Sequence, residues 1–310
     1  MLPRRSFLFG AALLAGCRPA RPPARPVPER WTSTLGLDHP LVGKIVRVDR
    51  GAFVGEDELV ATVGASPCVL LGEQHDNVDH HRLQARIVAA IGAGRAIVLE
   101  MVDRDHQAAL DASALDLDAL PGALDWAKSG WPPFPTYRPI FEAANAARAK
   151  LVAGNLPRAD AKAIAKGGAA SSASSPWVAQ AAPLPEAARA SLAEELRASH
   201  CGHLPEAMVV GMAAAQTARD ACLADAMLTA ERSILIAGAG HTRRDRGVPF
   251  QLAARGSASV AIAFVEVAPG KNAPAEYADR WGAPALPFDF AWFTPRATDD
   301  DPCKAFGGRK

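Results

Sequence analysis

No stretch of this 310-residue sequence approaches the ~20 consecutive apolar residues that carry a helix across a bilayer, so no spanning helix is predicted. Charge of one sign is also lacking. Lysine and arginine number 34 against 33 acidic residues, and the basic excess lies largely in the first thirty positions, so no positive field favours nucleic acid as a partner. The five cysteines contain no C-x-x-C pair, which removes c-type haem attachment and a zinc knuckle. There is no G-x-S-x-G elbow, no G-x-x-x-x-G-K-[ST] loop and no H-E-x-x-H helix, and residues 238–244 lack the third glycine of a dinucleotide fingerprint. Serine hydrolase, nucleotide and NAD chemistries fall away. No fixed-period repeat is present, which excludes solenoids and propellers.

What is present begins at the amino terminus. Arg4 and Arg5 precede a short apolar run, 7–14, which ends in Leu14-Ala15-Gly16-Cys17. That is the anatomy of a signal peptide, residues 1–16, to be removed. The tetrapeptide resembles the lipobox of bacterial lipoproteins, which implies acylation of Cys17, a membrane-bound mature chain and a folded domain outside the cytoplasm. Arg18 follows Cys17 where an aspartate would favour retention at the inner membrane, so the outer membrane is expected. Arg4-Arg5-Ser6-Phe7-Leu8 also resembles a twin-arginine export signal. Residues 17–30 form a Pro/Arg-rich tether, and the folded domain is expected over 31–310.

Short apolar runs at 68–71, 96–101, 151–153, 234–237 and 260–267 alternate with helical patterns, the rhythm of an α/β fold with a largely parallel central sheet flanked by helices. A run at 45–48 reads as an edge strand or hairpin arm. Leu83, Ile87 and Ile91 fall on one face of a predicted helix over 81–91, with Asp79 as its N-cap and Gly92 or Gly94 as its stop. Pro132, Pro133 and Pro135 predict an extended loop leading to Tyr137 and Arg138. Residues 167–175 contain only Gly, Ala and Ser and read as a flexible break before two helices, 186–198 and 205–229. A helical insert over about 157–231 is expected to cap the sheet.

Ligands of an open parallel sheet bind beyond the carboxyl ends of its strands, so polar residues that follow apolar runs are the ones to inspect. Glu73 and His75, Glu100, Asn155 with Arg158, and His241 all occupy such positions. Carboxylates and imidazoles gathered there suit a divalent metal, with His75 and His241 as ligands, or an acid–base pair. The helix 205–229 adds Gln216, Arg219 and Asp220. Its guanidinium is expected to meet Glu73, Glu100 or an anionic ligand. A second group, Tyr137, His200 and His203, is assigned to loop and cap. A tyrosine phenolate suits ferric haem, and Trp131, Phe134, Met208 and Met212 are candidates to line a flat cleft. Pairing among Cys68, Cys201, Cys222 and Cys303 is left open by their spacing.

Taken in order, the lipobox, residues 70–77 with His81, the 131–139 segment, Ala215-Gln216 with Arg219-Asp220, Gly240-His241 and the 288–295 tail resemble the ChaN-like haem-binding lipoproteins, related to erythromycin-esterase-like and TraB/Tiki-like proteins. The resemblance implies a lipid-anchored periplasmic protein that binds haem for iron acquisition, as two stacked haems in a dimer, and hands it to a receptor or transporter. Carried onto this sequence it makes Tyr137 the iron ligand and His203, with His200 in reserve, the neighbouring histidine, with Arg138 beside them. The alternative it raises is a metal-dependent hydrolase of peptide or ester bonds built on Glu73, His75, Glu100 and His241. The balance favours capture over catalysis.

Overall fold

The computed structural model describes residues 30–172 and 175–305. The expected signal peptide, Cys17 and nearly all of the expected tether lie outside the described residues. Eight strands form one sheet: β1 Ile45–Arg47, β2 Ala52–Val54, β3 Cys68–Glu73, β4 Ala96–Asp103, β5 Lys150–Asn155, β6 Ser233–Gly238, β7 Ser259–Glu266 and β8 Phe290–Thr294. Their spatial order is β2-β1-β8-β7-β3-β6-β4-β5. Every pairing from β8 to β5 is parallel, and the β1–β2 hairpin adds an antiparallel edge.

The helices are α1 Glu56–Ala65, α2 Val78–Ile91, α3 Gln107–Ser113, α4 Leu120–Ala123, α5 Trp126–Ser129, α6 Phe134–Ala146, α7 Arg158–Ser172, α8 Pro176–Gln180, α9 Glu186–Ser199, α10 Glu206–Met227 and α11 Val248–Ala254. The central strands are apolar throughout because both their faces are covered. Val69, Leu71, Ile97 and Leu99 pack with Leu83, Ile87 and Phe141 of α2 and α6. The alternate residues Leu70, Val98 and Leu235 pack with Leu223, Met227 and Leu252 of α10 and α11. The period of two along each strand thus divides the core into two layers.

The α/β reading with a mainly parallel sheet holds, and each of the five main runs is a strand. Details differ for local reasons. Asn77, not Asp79, caps α2, its side chain accepting from the N–H groups of Asp79 and His80. Asp79 is instead taken by the backbone N–H groups of Thr32 and Ser33, which tie the start of the domain to α2. The proline segment is shorter than expected, because prolines are tolerated in a first helical turn: α6 begins at Phe134 and contains Tyr137, with Pro139 inside it. Helix α7 runs through residues 167–172 rather than breaking there. The run at 45–48 is a hairpin arm, and the true edge is β2. Helix α10 does more than cap, since its C-terminal half belongs to the core beneath the sheet.

Candidate functional site

The carboxyl ends of β3, β4 and β6 converge, and two glycines set how closely. A Cβ on Gly72 would lie 2.2 Å from Thr242 Oγ1 and 3.0 Å from Ala239 Cα, so only glycine lets β3 meet the turn after β6. A Cβ on Gly238 would lie 2.8 Å from the His75 ring, which rests directly on that strand end.

Two carboxylate–imidazole clusters result. In the first, Glu73 is fully enclosed. Its Oε1 accepts from Tyr137 Oη at 2.8 Å and lies 2.9 Å from His75 Nδ1, while Oε2 faces His81 Nε2 at 3.4 Å. The His81 ring stacks on Tyr137 with centroids 4.0 Å apart. Burial works to raise the Glu73 pKa, but the close approach of His81 and the hydrogen bond from His75 outweigh it and hold Glu73 ionised, well below the usual carboxylate range. His75 is the accessible member, its side chain 41% exposed and edge-on to Trp131 at 4.8 Å. Burial lowers its pKa, and the Glu73 hydrogen bond with the Glu100 and Glu73 charges more than reverses this, so the net shift is upward.

In the second cluster His241 lies between two acids. Asp220 Oδ1 is 2.6 Å from its Nδ1 and Glu100 Oε1 is 3.2 Å from its Nε2. Glu100 Oε2 also accepts the Gly238 N–H at 2.7 Å. Gln216 Nε2 lies 3.1 Å from His241 Nε2. Desolvation opposes the imidazolium, yet the two carboxylates raise its pKa to about 10. Glu100, although penalised by burial, falls to about 2 beside that charge. Burial outweighs His241 at Asp220, whose pKa is raised.

The four rim residues Glu73, His75, Glu100 and His241 do come together, as two pairs rather than one ligand sphere, since Glu100 and Asp220 approach opposite nitrogens of a single ring. Asp220 joins the rim, whereas Arg219, expected to meet Glu73 or Glu100, instead lines a neighbouring cleft of about 470 Å³ with Trp131, Asn155 and Arg158. Its Nε has no hydrogen-bond partner.

The second predicted group does not hold together. Tyr137 belongs to the Glu73 cluster and is 0% exposed. Burial, followed by the Glu73 charge and hydrogen bond, pushes its ionisation far above the ordinary phenol value. Tyr277, the other tyrosine, is equally buried, with its hydroxyl bonded to Ala268 N–H and Lys271 O. Arg138 is half-exposed and pairs with Asp118 and Glu142. Of the apolar candidates, Phe134 is core, Trp131 and Met212 are half-buried and Met208 is exposed. His200 caps the end of α9, Nδ1 to Leu196 O at 2.8 Å, and His203 is exposed in the turn to α10. Cys201, in that turn, is disulfide-bonded to Cys303, and Cys68 and Cys222 are free and buried.

Sequence reading did not single out Asp103, Asp105 and His106, although they follow an apolar strand just as Glu73 does. Nor did it place Tyr137 on Glu73, a contact made across sixty-four positions that no local pattern encodes.

The protein is thus an α/β protein with two carboxylate–imidazole clusters at the carboxyl rim of its sheet. Residues 59–252, more than half of the chain, match the family described as haem-binding uptake, Tiki superfamily, ChaN, and the chain belongs to that family. Among solved structures it is similar to ChaN of Campylobacter jejuni, described with cofacial haem binding: TM-score 0.60 and 18% identity, covering 80% of this chain and 95% of that one. A type III effector, HopBA1, aligns at TM-score 0.46 and 15% identity over 77% and 92% of the two chains. No curated protein matches the sequence.

Proposed function

We propose that this protein is a lipid-anchored haem-binding protein of the periplasmic face of a bacterial envelope membrane, taking haem as cargo for iron acquisition. The observation that carries the reading is the family match over residues 59–252. The lipobox at Cys17 supports anchoring, and the absence of Asp at position 18 supports the outer membrane. The Cys201–Cys303 bond supports an oxidising compartment.

Of the expected haem ligands, the exposed ones fit better than the buried one. Tyr137 would have to leave Glu73 and the interior of α6 before its oxygen met iron. The α9–α10 turn instead presents His203 outward, with His200 beside it and Met208 and Val210 exposed on the following helix at 41% and 53%. An exposed imidazole in this turn can reach haem iron from one side, and a second copy of the chain would cover the other face. We assign His203 as the iron ligand, His200 as its reserve and a homodimer as the loaded form, which passes haem to a receptor or transporter.

The test is a haemin titration of the mature protein in detergent, following the Soret band and the molecular mass. Saturation at one haem per chain is expected, weakened in His203→Ala and unchanged in Tyr137→Phe. Loss in a folded Tyr137→Phe would return the ligand to the tyrosine, and absence of saturable binding would sink the carrier reading.

The Glu73–His75 pair favours a second reading, hydrolysis of an ester or peptide bond. A half-exposed imidazole oriented by a buried carboxylate is the geometry of a general base. This places His75 as the base, with Glu73 orienting it. Loss of hydrolysis in His75→Ala, with haem binding intact, would mark it.

A further inference from the structure

Beyond the rim, β4 ends at Asp103 and a 3-10 turn, Arg104–His106, follows it. The β4–β5 register shifts between Leu99 and Asp103: Leu99 pairs with Ala153, and Asp103 with Asn155. The extra residues on β4 form an irregularity of the kind that re-aims side chains at strand ends. It sets Asp103 beside Asn155 on adjacent parallel strands, where partnered residues leave the sheet on the same face.

One ligand atom each from Asp103, Asp105 and His106 lie within 4.8 Å of one another, the only such group among the described residues. All three line the cleft of about 470 Å³, and so does Asn155. Asn155 supplies an independent observation: it is 4% exposed, and its Oδ1 has no hydrogen-bond partner. A buried amide oxygen without a donor costs ~1–3 kcal/mol, and it lines the same cleft as Asp103, whose Oδ2 accepts the Arg158 N–H at 3.0 Å and whose Oδ1 is left for a cation. A cation satisfies all of these groups together.

We propose that Asp103, Asp105, His106 and Asn155 form a divalent cation site separate from the Glu73–His75 and Glu100–His241 pairs. Three oxygens and one imidazole nitrogen suit a metal of the Mn²⁺ class rather than a soft, thiolate-seeking ion. The remaining coordination positions open into the cleft, toward the Arg219 guanidinium. Its Nε also lacks a partner, which gives water or an anionic ligand on the metal a second point of attachment.

The experiment is Mn²⁺ binding to the mature protein in detergent, read as loss of the free-ion EPR signal. One saturable site per chain is expected. Asp105→Asn, at an exposed position, and His106→Ala should each weaken it about tenfold or more. His75→Ala should leave it unchanged, and thermal melts should confirm that every variant is folded. Absence of saturable binding, binding unaltered in both cleft variants, or loss in His75→Ala would overturn the proposal. Haem titration does not enter the readout, so this site and the haem reading stand or fall separately.

Discussion

His241 keeps its proton well above neutrality because Glu100 and Asp220 occupy both of its ring nitrogens in a buried site. The consequence for stability has a definite sign. Below the ordinary imidazole value of 6.5 the ring is protonated folded or unfolded, and the paired charge contributes in full; the contribution is lost as pH rises through about 10. Glu100 works in the opposite direction: its contribution is full above the ordinary 4.5 and is lost as pH falls through about 2. Stability is therefore expected to be greatest between pH 4.5 and 6.5. Urea titrations of His241→Gln should show a lower plateau and an alkaline limb flatter by about one proton, ~1.4 kcal/mol per pH unit. An alkaline limb identical to that of the unaltered protein would show that the imidazolium is not formed.

Helices α9 and α10 owe their shared turn to contacts made at its ends rather than to a core of its own. Residues 200–205 have few buried side chains, and the Cys201–Cys303 bond links the turn to the carboxyl-terminal segment across 102 positions. Closing so long a loop removes much freedom from the unfolded chain. Cys201→Ser is expected to lower unfolding free energy by ~2–4 kcal/mol in urea. Hydrogen exchange should rise in the turn and change little in β3, β4 and β6, which are held by both core layers. Uniform acceleration across the sheet would mean that the bond supports the whole fold. If the turn carries the haem ligand, the same variant should bind haem less tightly while the rim clusters keep their geometry.

The whole molecule places three chemically different regions on one sheet: a buried pair of carboxylate–imidazole clusters at the centre of the rim, a charged cleft beyond β4 and β5, and an outward turn on the helical side. The proposed anchoring belongs to this scale too, since a lipid on Cys17 would hold the domain at a surface through residues outside its core. Cys17→Ala should move the folded protein from the membrane fraction to the soluble periplasmic fraction with its thermal unfolding unchanged. Retention in the membrane would show that some other part of the chain holds it there.

Much of this was legible in the sequence. Doubly buried strands must be apolar along their length, so 68–71, 96–101, 151–153, 234–237 and 260–267 announced themselves, and polar residues directly after them had to lie on one rim. Glu73, His75, Glu100 and His241 were found that way because strand ends are local features. The tertiary structure alone decided which of these groups touch. It put Tyr137 on Glu73, Asp220 on His241, Arg219 in the cleft rather than on Glu73 or Glu100, Cys201 on Cys303, and Asp103 beside Asn155 through a register shift. Each of these is a contact between residues distant in the chain. Such contacts depend on how helices seat against the sheet, and a side chain's charge state follows from the neighbours that this seating supplies.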